Sequence, residues 1–194
     1  MMKKHNYSYS GLFLFITLLL GMGCKVQQNQ RSMLEEEALR GGVSLIDLVI
    51  LDAEGLFNSN SSSNISSDQN PNLQFIALES RGKNGIKSTR SDNVSPKDFY
   101  TDVYPGKNVI WFGEIEKSGE KKKYKIKILQ IELAYPNCIF ENPRIRGNRG
   151  IVQASVKENA EDNCEARYTI WFELENEDGD TRGFSMDPFL RAIR

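Results

Sequence analysis

The clearest strand signal in the chain is the segment Ala166-Arg167-Tyr168-Thr169-Ile170-Trp171-Phe172-Glu173-Leu174-Glu175. Large apolar side chains occupy every second position: Tyr168, Ile170, Phe172 and Leu174. This two-residue period is typical of a β-strand that buries one face. The pair Asp178-Gly179 follows and is a typical hairpin turn, after which Thr181–Met186 returns as a second strand. The segment therefore predicts a β-hairpin.

The same signal recurs along the chain from residue 44 onward. Further strands are predicted at Ser44–Leu51, Leu73–Leu78, Asn108–Phe112, Lys123–Leu133, Ile139–Glu141, Ile151–Val156 and, as an edge strand, Phe189–Arg194. Ser44–Leu51 is almost continuously apolar, which favours a strand buried on both faces over the alternative of a helix. Within Lys123–Leu133 the alternation changes phase at Ile128-Leu129, which predicts a β-bulge.

Seven or eight strands with irregular polar connections predict a single all-β domain, an antiparallel β-sandwich over residues 44–194. Residues 24–43 are expected to be a tether with one short N-terminal helix. A capping box from Ser32 to Glu35 predicts this helix over Met33–Arg40. The Ser- and Asn-rich segment from Asn58 to Asn72 predicts a long mobile loop.

The first 24 residues have the pattern of an export signal. Two lysines precede the apolar run Gly11–Leu20, and small residues precede Cys24. The run is shorter than the roughly 20 residues that span a bilayer, so we interpret residues 1–23 as a signal peptide. The junction resembles the lipobox of bacterial lipoproteins, which implies cleavage before Cys24 and acylation of its thiol. The expected location is the bacterial cell envelope, with a lipid anchor holding the protein to the membrane. Cleavage elsewhere or an uncleaved anchor are the alternatives.

The composition of the remaining chain excludes several function classes. Without the signal, 171 residues carry 23 basic and 26 acidic side chains, so the net charge of −3 argues against nucleic acid as a partner. The only histidine is His5, inside the signal. The domain would therefore lack histidine-based triads, histidine general bases and nearly all zinc, copper and non-haem iron sites. We expect no cofactor and no catalysis.

The cysteines support a disulfide prediction. If Cys24 is acylated, Cys138 and Cys164 are left as a pair, and two thiols in an oxidising compartment usually join. The alternative is two free buried cysteines that pack as small apolar residues.

Five short features follow one another in a set order along the predicted domain. The apolar strand Ile46–Leu51 runs into Asp52, and a loop of Ser, Asn and Pro follows. A glycine turn then opens the strand segment Pro105–Trp111, a late strand carries Tyr168 and Phe172, and Asp187-Pro188 comes near the end. This order resembles the PixA/AidA family of inclusion body proteins. The resemblance implies an immunoglobulin-like or cupredoxin-like β-sandwich and supplies no catalytic residues. The copper site of cupredoxins is not expected, because it needs two histidines.

Candidate binding residues lie in a basic loop. Arg144, Arg146 and Arg149 can fork onto phosphate, sulfate or carboxylate groups. On an exported protein the partner would be an anionic glycan, a lipid headgroup or an acidic envelope protein. The alternative is a solvated loop without a ligand. A similar choice applies to Lys125 and Lys127, which we interpret as a solvated strand face that guards a sheet edge.

Two further patterns have a functional and a structural interpretation. Asp178 and Asp180 offer carboxylates around a glycine, which suits calcium, but a charged hairpin tip is the preferred interpretation. Trp111 and Trp171 could stack on sugar rings, but a place in the sandwich core is preferred for both.

The sequence thus favours a lipid-anchored envelope protein with a non-catalytic binding or scaffolding domain. The alternatives are a self-assembling structural protein of the inclusion body type and a carboxylate-dependent, glycan-active enzyme.

Overall fold

The computed structural model describes Met33, Glu36 and residues 43–65, 69–81, 87–88 and 98–194. Residues 1–36 and 37–194 form separate units, and the second unit contains the sheets. The predicted signal peptide, Cys24 and most of the predicted helix Met33–Arg40 lie outside the described residues, although Met33 and Glu36 are helical. In the described part of the chain, no helix has the length and apolar character needed to cross a membrane.

The domain is built from short strands with one short helix. The strands are β1 (Val43–Ile50), β2 (Ile76–Arg81), β3 (Lys87–Ser88), β4 (Tyr100–Val103), β5 (Asn108–Ile115), β6 (Lys125–Leu133), β7 (Arg144–Arg146), β8 (Ile151–Ser155), β9 (Glu165–Glu175), β10 (Thr181–Met186) and β11 (Phe189–Ala192). The helix α1 covers Ala53–Asn58, and 3₁₀ turns cover Pro71–Phe75 and Glu120–Lys122.

The strands form two sheets. The first has the order β3-β2-β1-β5-β8, and the second has the order β4-β11-β9-β6-β7, with β10 also paired to β9. β9 is the longest strand. One of its edges pairs with β6, and the other pairs with β11 at Glu165–Arg167 and with β10 at Ile170–Glu175. This arrangement confirms the prediction of an all-β sandwich.

The strand directions differ from the expected antiparallel pattern. β1 pairs in parallel with β5 over Val43–Ile50, and β4 pairs in parallel with β11. Both sheets are therefore mixed. The alternation of apolar residues reports which face of a strand is buried but carries no information on the direction of its neighbour, and both parallel pairs join segments far apart in the chain.

One apolar core joins the two sheets. β9 supplies its inward row, in which Tyr168, Phe172 and Leu174 are fully buried, and β1 faces it with Ile46, Leu48 and Ile50. β1 is buried along its whole length, which confirms the sequence interpretation of that strand. Full burial of one large aliphatic or aromatic side chain contributes about 1.5–3 kcal/mol, so this row carries much of the stability of the domain.

The predicted bulge is present in β6. The register with β9 shifts between Ile128 and Gln130, so that Leu129 has no partner and is 43% exposed. Ile128 and Ile131 are both buried although three positions separate them. The extra residue restores the inward phase, which explains why both halves of the strand look apolar on one face.

The β9–β10 hairpin also matches the sequence prediction. The Asn176 amide N–H donates to the Asp180 carbonyl, and the Asn176 side-chain oxygen accepts from the Asp180 N–H at 2.8 Å. Gly179 has φ of +87°, a left-handed conformation that favours glycine.

Two local strand predictions were wrong. Ile139–Glu141 is not a strand: Ile139 and Phe140 are buried loop residues, and their amide N–H groups donate to the Asn137 side-chain oxygen. β11 is not an edge strand, because it lies between β9 and β4. Both errors have one origin, since burial of a short apolar segment does not reveal which neighbours cover it.

The loop between Asn58 and Asn72 is partly packed rather than wholly mobile. Ile65 is fully buried, and Asn70 donates from its side chain to the carbonyls of Ser62 and Asn64 at 3.0 and 2.6 Å. Arg182 donates to the Phe57 carbonyl at 2.6 Å. Side-chain amides supply the hydrogen bonds that this segment cannot obtain from a sheet.

Candidate functional site

The outer face of the second sheet is the candidate binding surface. Along β9, Arg167 and Trp171 point outward and are exposed, whereas Tyr168 and Phe172 point into the core. β1, in the first sheet, is buried on both faces. The outward residues of β9 and its neighbours are therefore placed to meet a ligand.

One row of residues crosses this face at Trp171. Trp171 lies opposite Gln130 of β6 and Ser185 of β10, Gln130 lies opposite Arg146 of β7, and Asn64 forms a bridge with Ser185. We call Asn64, Ser185, Trp171, Gln130 and Arg146 the Trp171 row. Residues opposite each other in a sheet point to the same face, so this row places the exposed indole among polar groups, of which Ser185 is itself buried.

The two tryptophans have different environments. Trp111 is 1% exposed, and its ring makes edge contacts with Phe140 and Tyr168 in the core. Trp171 is 43% exposed. The preference for a core position was therefore right for Trp111 and wrong for Trp171, because the outward position of β9 alternates with the apolar row that defines the strand.

The Glu132 carboxylate lies beside a guanidinium and the Trp171 indole. The ion pair with Arg144 and, to a smaller extent, the hydrogen bond from the Trp171 indole N–H keep the pKa of Glu132 below its usual range. The carboxylate therefore stays ionised at neutral pH.

The three arginines predicted as a flexible loop have distinct positions. Arg144 and Arg146 lie in β7, which pairs with β6, so the prediction of a loop was wrong for both. Arg149 lies in the following turn, with φ of +53°. Arg144 is paired with Glu132, whereas no carboxylate among the described residues forms an ion pair with Arg146 or Arg149. All three are exposed.

A ladder of ion pairs lies beside the Trp171 row. The Lys127 ammonium contacts Glu173 at 3.3 Å and Glu175 at 2.6 Å, and Lys125 contacts Glu175 at 2.9 Å. Hydrogen bonds from Lys127 and Lys125 lower the pKa of Glu175 to about 2. These lysines bridge neighbouring strands across the solvated face rather than guard a free sheet edge.

A groove of about 640 Å³ opens at the Asn64 end of the Trp171 row. Its lining is polar: Ser62, Asn64, Gln69, Asn70, Pro71, Arg167 and Asp187. Arg167 and Asp187 form an ion pair at 3.0 Å on the wall of the groove. The Asp187-Pro188 segment connects β10 to β11. The groove extends the outer face beyond β10.

The β4–β11 corner of the face, next to Arg167 of the groove, carries a stacked aromatic pair. Tyr100 of β4 and Phe189 of β11 stack with ring centroids 5.1 Å apart. Arg191 contacts Asp102 at 2.7 Å, and Glu165 faces Arg191 from β9. Two carboxylates and one guanidinium leave this corner acidic, unlike the end of the face at β7.

The predicted disulfide is present. Cys138, in the loop after β6, is joined to Cys164, directly before β9, with a sequence separation of 26 residues. The bridge fastens the buried Ile139-Phe140 segment to the central strand.

The calcium candidates Asp178 and Asp180 belong to the hairpin turn. Asp180 accepts from the Asn176 side chain at 3.3 Å. Across the described residues, no three His, Cys, Asp or Glu side chains come close enough together to hold a metal ion.

Comparison with known proteins gives a fold match. No family model matches the chain, and no curated protein sequence matches it. The fold is similar to that of a PixA inclusion body protein. The crystal structure of this inclusion body protein, from Burkholderia cenocepacia J2315, aligns with a TM-score of 0.51 and 15% identity. The alignment covers 79% of this chain and 96% of that chain. The PixA resemblance seen in the sequence is thus supported at the level of the fold.

Sequence reasoning missed several residues of the site. Gln130, Glu132, Ser185 and Asn64 carried no signal of their own. Each becomes part of the site only through the strand register, which is set by the bulge at Leu129 and by the bridge from the loop to β10.

Proposed function

We propose that the protein is a bacterial envelope lipoprotein, anchored to the membrane through Cys24, whose β-sandwich binds or scaffolds other molecules without catalysis. The observation that carries this proposal is the bridge between Cys138 and Cys164. Disulfides persist mainly in exported proteins, whereas cytosolic thiols are kept reduced. The bridge therefore supports the export signal that the sequence predicts.

The electrostatics of the open face support a non-catalytic role. A glycan-active enzyme needs one carboxyl group whose pKa is raised so that it can donate a proton. Arg144 and the lysines of the ladder instead lower the pKa of Glu132 and Glu175. These acids are held ionised by cations, which suits a fixed binding surface.

Cell fractionation tests the anchor. Wild-type protein should sediment with membranes and take up a labelled fatty acid in native cells, whereas Cys24→Ala should do neither. A variant that lacks Cys138 and Cys164, both changed to alanine, is the matched control and should keep the label. Equal solubility of wild type and Cys24→Ala would contradict the proposal.

A second candidate function is self-assembly, which the fold similarity to an inclusion body protein favours. Sedimentation velocity over a wide concentration range distinguishes the two. Large assemblies that grow with concentration would favour self-assembly, and a monomer at every concentration would argue against it.

A further inference from the structure

We propose that the Trp171 row is a binding site for an acidic polysaccharide, with the Trp171 indole as the stacking platform and Arg146 as the contact for the acid group. The inference rests on the proposed function, because a domain anchored in the cell envelope is surrounded by polysaccharide.

The platform is the first element of the site. An exposed indole offers a large, flat, apolar surface with one polar N–H, and the C–H face of a sugar ring can pack on it. Trp171 is 43% exposed and lies in the middle of a strand, where the sheet supports the ring from below. Its indole N–H lies beside the Glu132 carboxylate.

The polar neighbours are the second element. Gln130 lies directly beside Trp171, and Asn64 lies at the mouth of the groove. Side-chain amides both donate and accept, which matches the hydroxyl groups of sugars. From Asn64 to Arg146 the row crosses four inter-strand steps of about 4.8 Å, roughly 19 Å in all, which suits an oligosaccharide segment rather than one sugar.

Charge selects the class of polysaccharide. Near the row, Arg144 is neutralised by Glu132, and Lys125 and Lys127 are neutralised by Glu173 and Glu175. Arg146 and Arg149 have no such partner among the described carboxylates, so this end of the face is positive. A guanidinium binds carboxylate or sulfate groups through paired hydrogen bonds. An acidic sugar is therefore favoured over a neutral one.

The test uses the full-length protein extracted from native membranes in detergent. The probes are oligogalacturonate, which carries carboxylates, a heparin-derived oligosaccharide, which carries sulfates, and a neutral maltooligosaccharide. Trp111 is buried, so a change in tryptophan fluorescence on titration reports Trp171. At least one acidic probe should change the fluorescence saturably, whereas the neutral probe should not.

Variants locate the contact. Trp171→Ala and Arg146→Gln should each weaken the affinity, measured by calorimetry, by about tenfold or more, which corresponds to ~1.4 kcal/mol. Tyr135→Ala, at an aromatic residue that is 97% exposed and lies outside the row, and Lys122→Gln, at an exposed lysine, are the matched controls and should bind as wild type. Raising the salt concentration should weaken the wild type more than Arg146→Gln.

Three results would overturn the inference: no response to either acidic probe, equal binding of the neutral probe, or wild-type affinity in Trp171→Ala. The fraction of protein that sediments with membranes is measured on the same cells. Membrane-bound protein without acidic glycan binding refutes this inference and leaves the proposed function intact. Glycan binding by a protein that is not membrane-bound refutes the anchor instead.

Discussion

Gln130 lies directly opposite Trp171 in the register of β6 and β9, and the bulge at Leu129 puts both side chains on the solvated face. If the same residues continued in regular alternation without a bulge, Gln130 would occupy an inward position and Ile131 an outward one. The bulge therefore keeps Ile131 in the core and, at the same time, places Gln130 beside Trp171 on the outer face.

Gly147 supports this bulge, and its substitution should destabilise the domain. A Cβ at Gly147 would meet the Ile128 carbonyl oxygen, a backbone atom that cannot move aside, while the Gly147 N–H donates to the Leu129 carbonyl at 2.7 Å. Gly147→Ala should lower the free energy of unfolding by about 1–3 kcal/mol in urea titration. Gly119→Ala is the control, since no atom lies within 4 Å of its Cβ position. Equal stability of the two variants would refute this account of the bulge.

The disulfide should contribute to stability mainly through the unfolded chain. It closes a loop over a sequence separation of 26 residues, for which the loop-entropy relation gives about 3.5 kcal/mol. Changing both Cys138 and Cys164 to alanine should lower the midpoint of urea unfolding accordingly. The wild type in reducing agent should match the variant in reducing agent. A reductant effect that persists in the variant would show that the loss has another cause.

Glu175 should make stability depend on pH in the acid range. Its folded pKa is about 2 and its ordinary value is 4.5, so its contribution is complete above pH 4.5 and disappears as the pH falls toward 2. Glu175→Gln should unfold earlier than wild type in urea at pH 7, and the difference should vanish near pH 2. Glu161→Gln, at an exposed glutamate without an ion pair among the described residues, is the control and should unfold in urea at pH 7 as wild type does. A constant difference at all pH values for Glu175→Gln would contradict the ion-pair explanation.

The Asn70 side chain should stabilise the loop between Asn58 and Asn72, which contributes Asn64 to the Trp171 row. Its side chain accepts from the Asn72 N–H at 2.9 Å and donates to the carbonyls of Ser62 and Asn64. Asn70→Ala should cost about 1–3 kcal/mol, because buried backbone groups lose their partners. It should also speed amide exchange at Ile65, whose N–H donates to the Ser185 carbonyl. Asn60→Ala, at an exposed position of the same loop, is the control. Unchanged exchange at Ile65 in Asn70→Ala would refute this role.

The sequence predicted those parts of the fold whose signal is local. The β9–β10 hairpin was predictable from the alternating apolar residues of its strands and from the glycine at position 179 of its turn. The bulge in β6 was predictable from the change of phase in the alternation. β4 escaped prediction because its four residues become a strand only by pairing in parallel with β11, which lies almost ninety residues later. α1 is a six-residue helix that begins at the Asp52 cap, too short for an apolar period.

The candidate site was predictable only in its individual residues. The sequence singled out Arg144, Arg146 and Trp171, but it could not place the arginines on a strand or the indole on the solvated face. Their common row depends on the pairing of β6 with both β7 and β9. Sequence spacing within one segment does not contain that information.

The intact mass of the protein from native cells tests export, the lipid anchor and the disulfide together. We expect a chain that begins at Cys24 and carries acyl groups, and in which a thiol reagent labels two cysteines only after reduction. A chain that begins at Met1 and exposes three reactive thiols without reduction would contradict export, the anchor and the disulfide together.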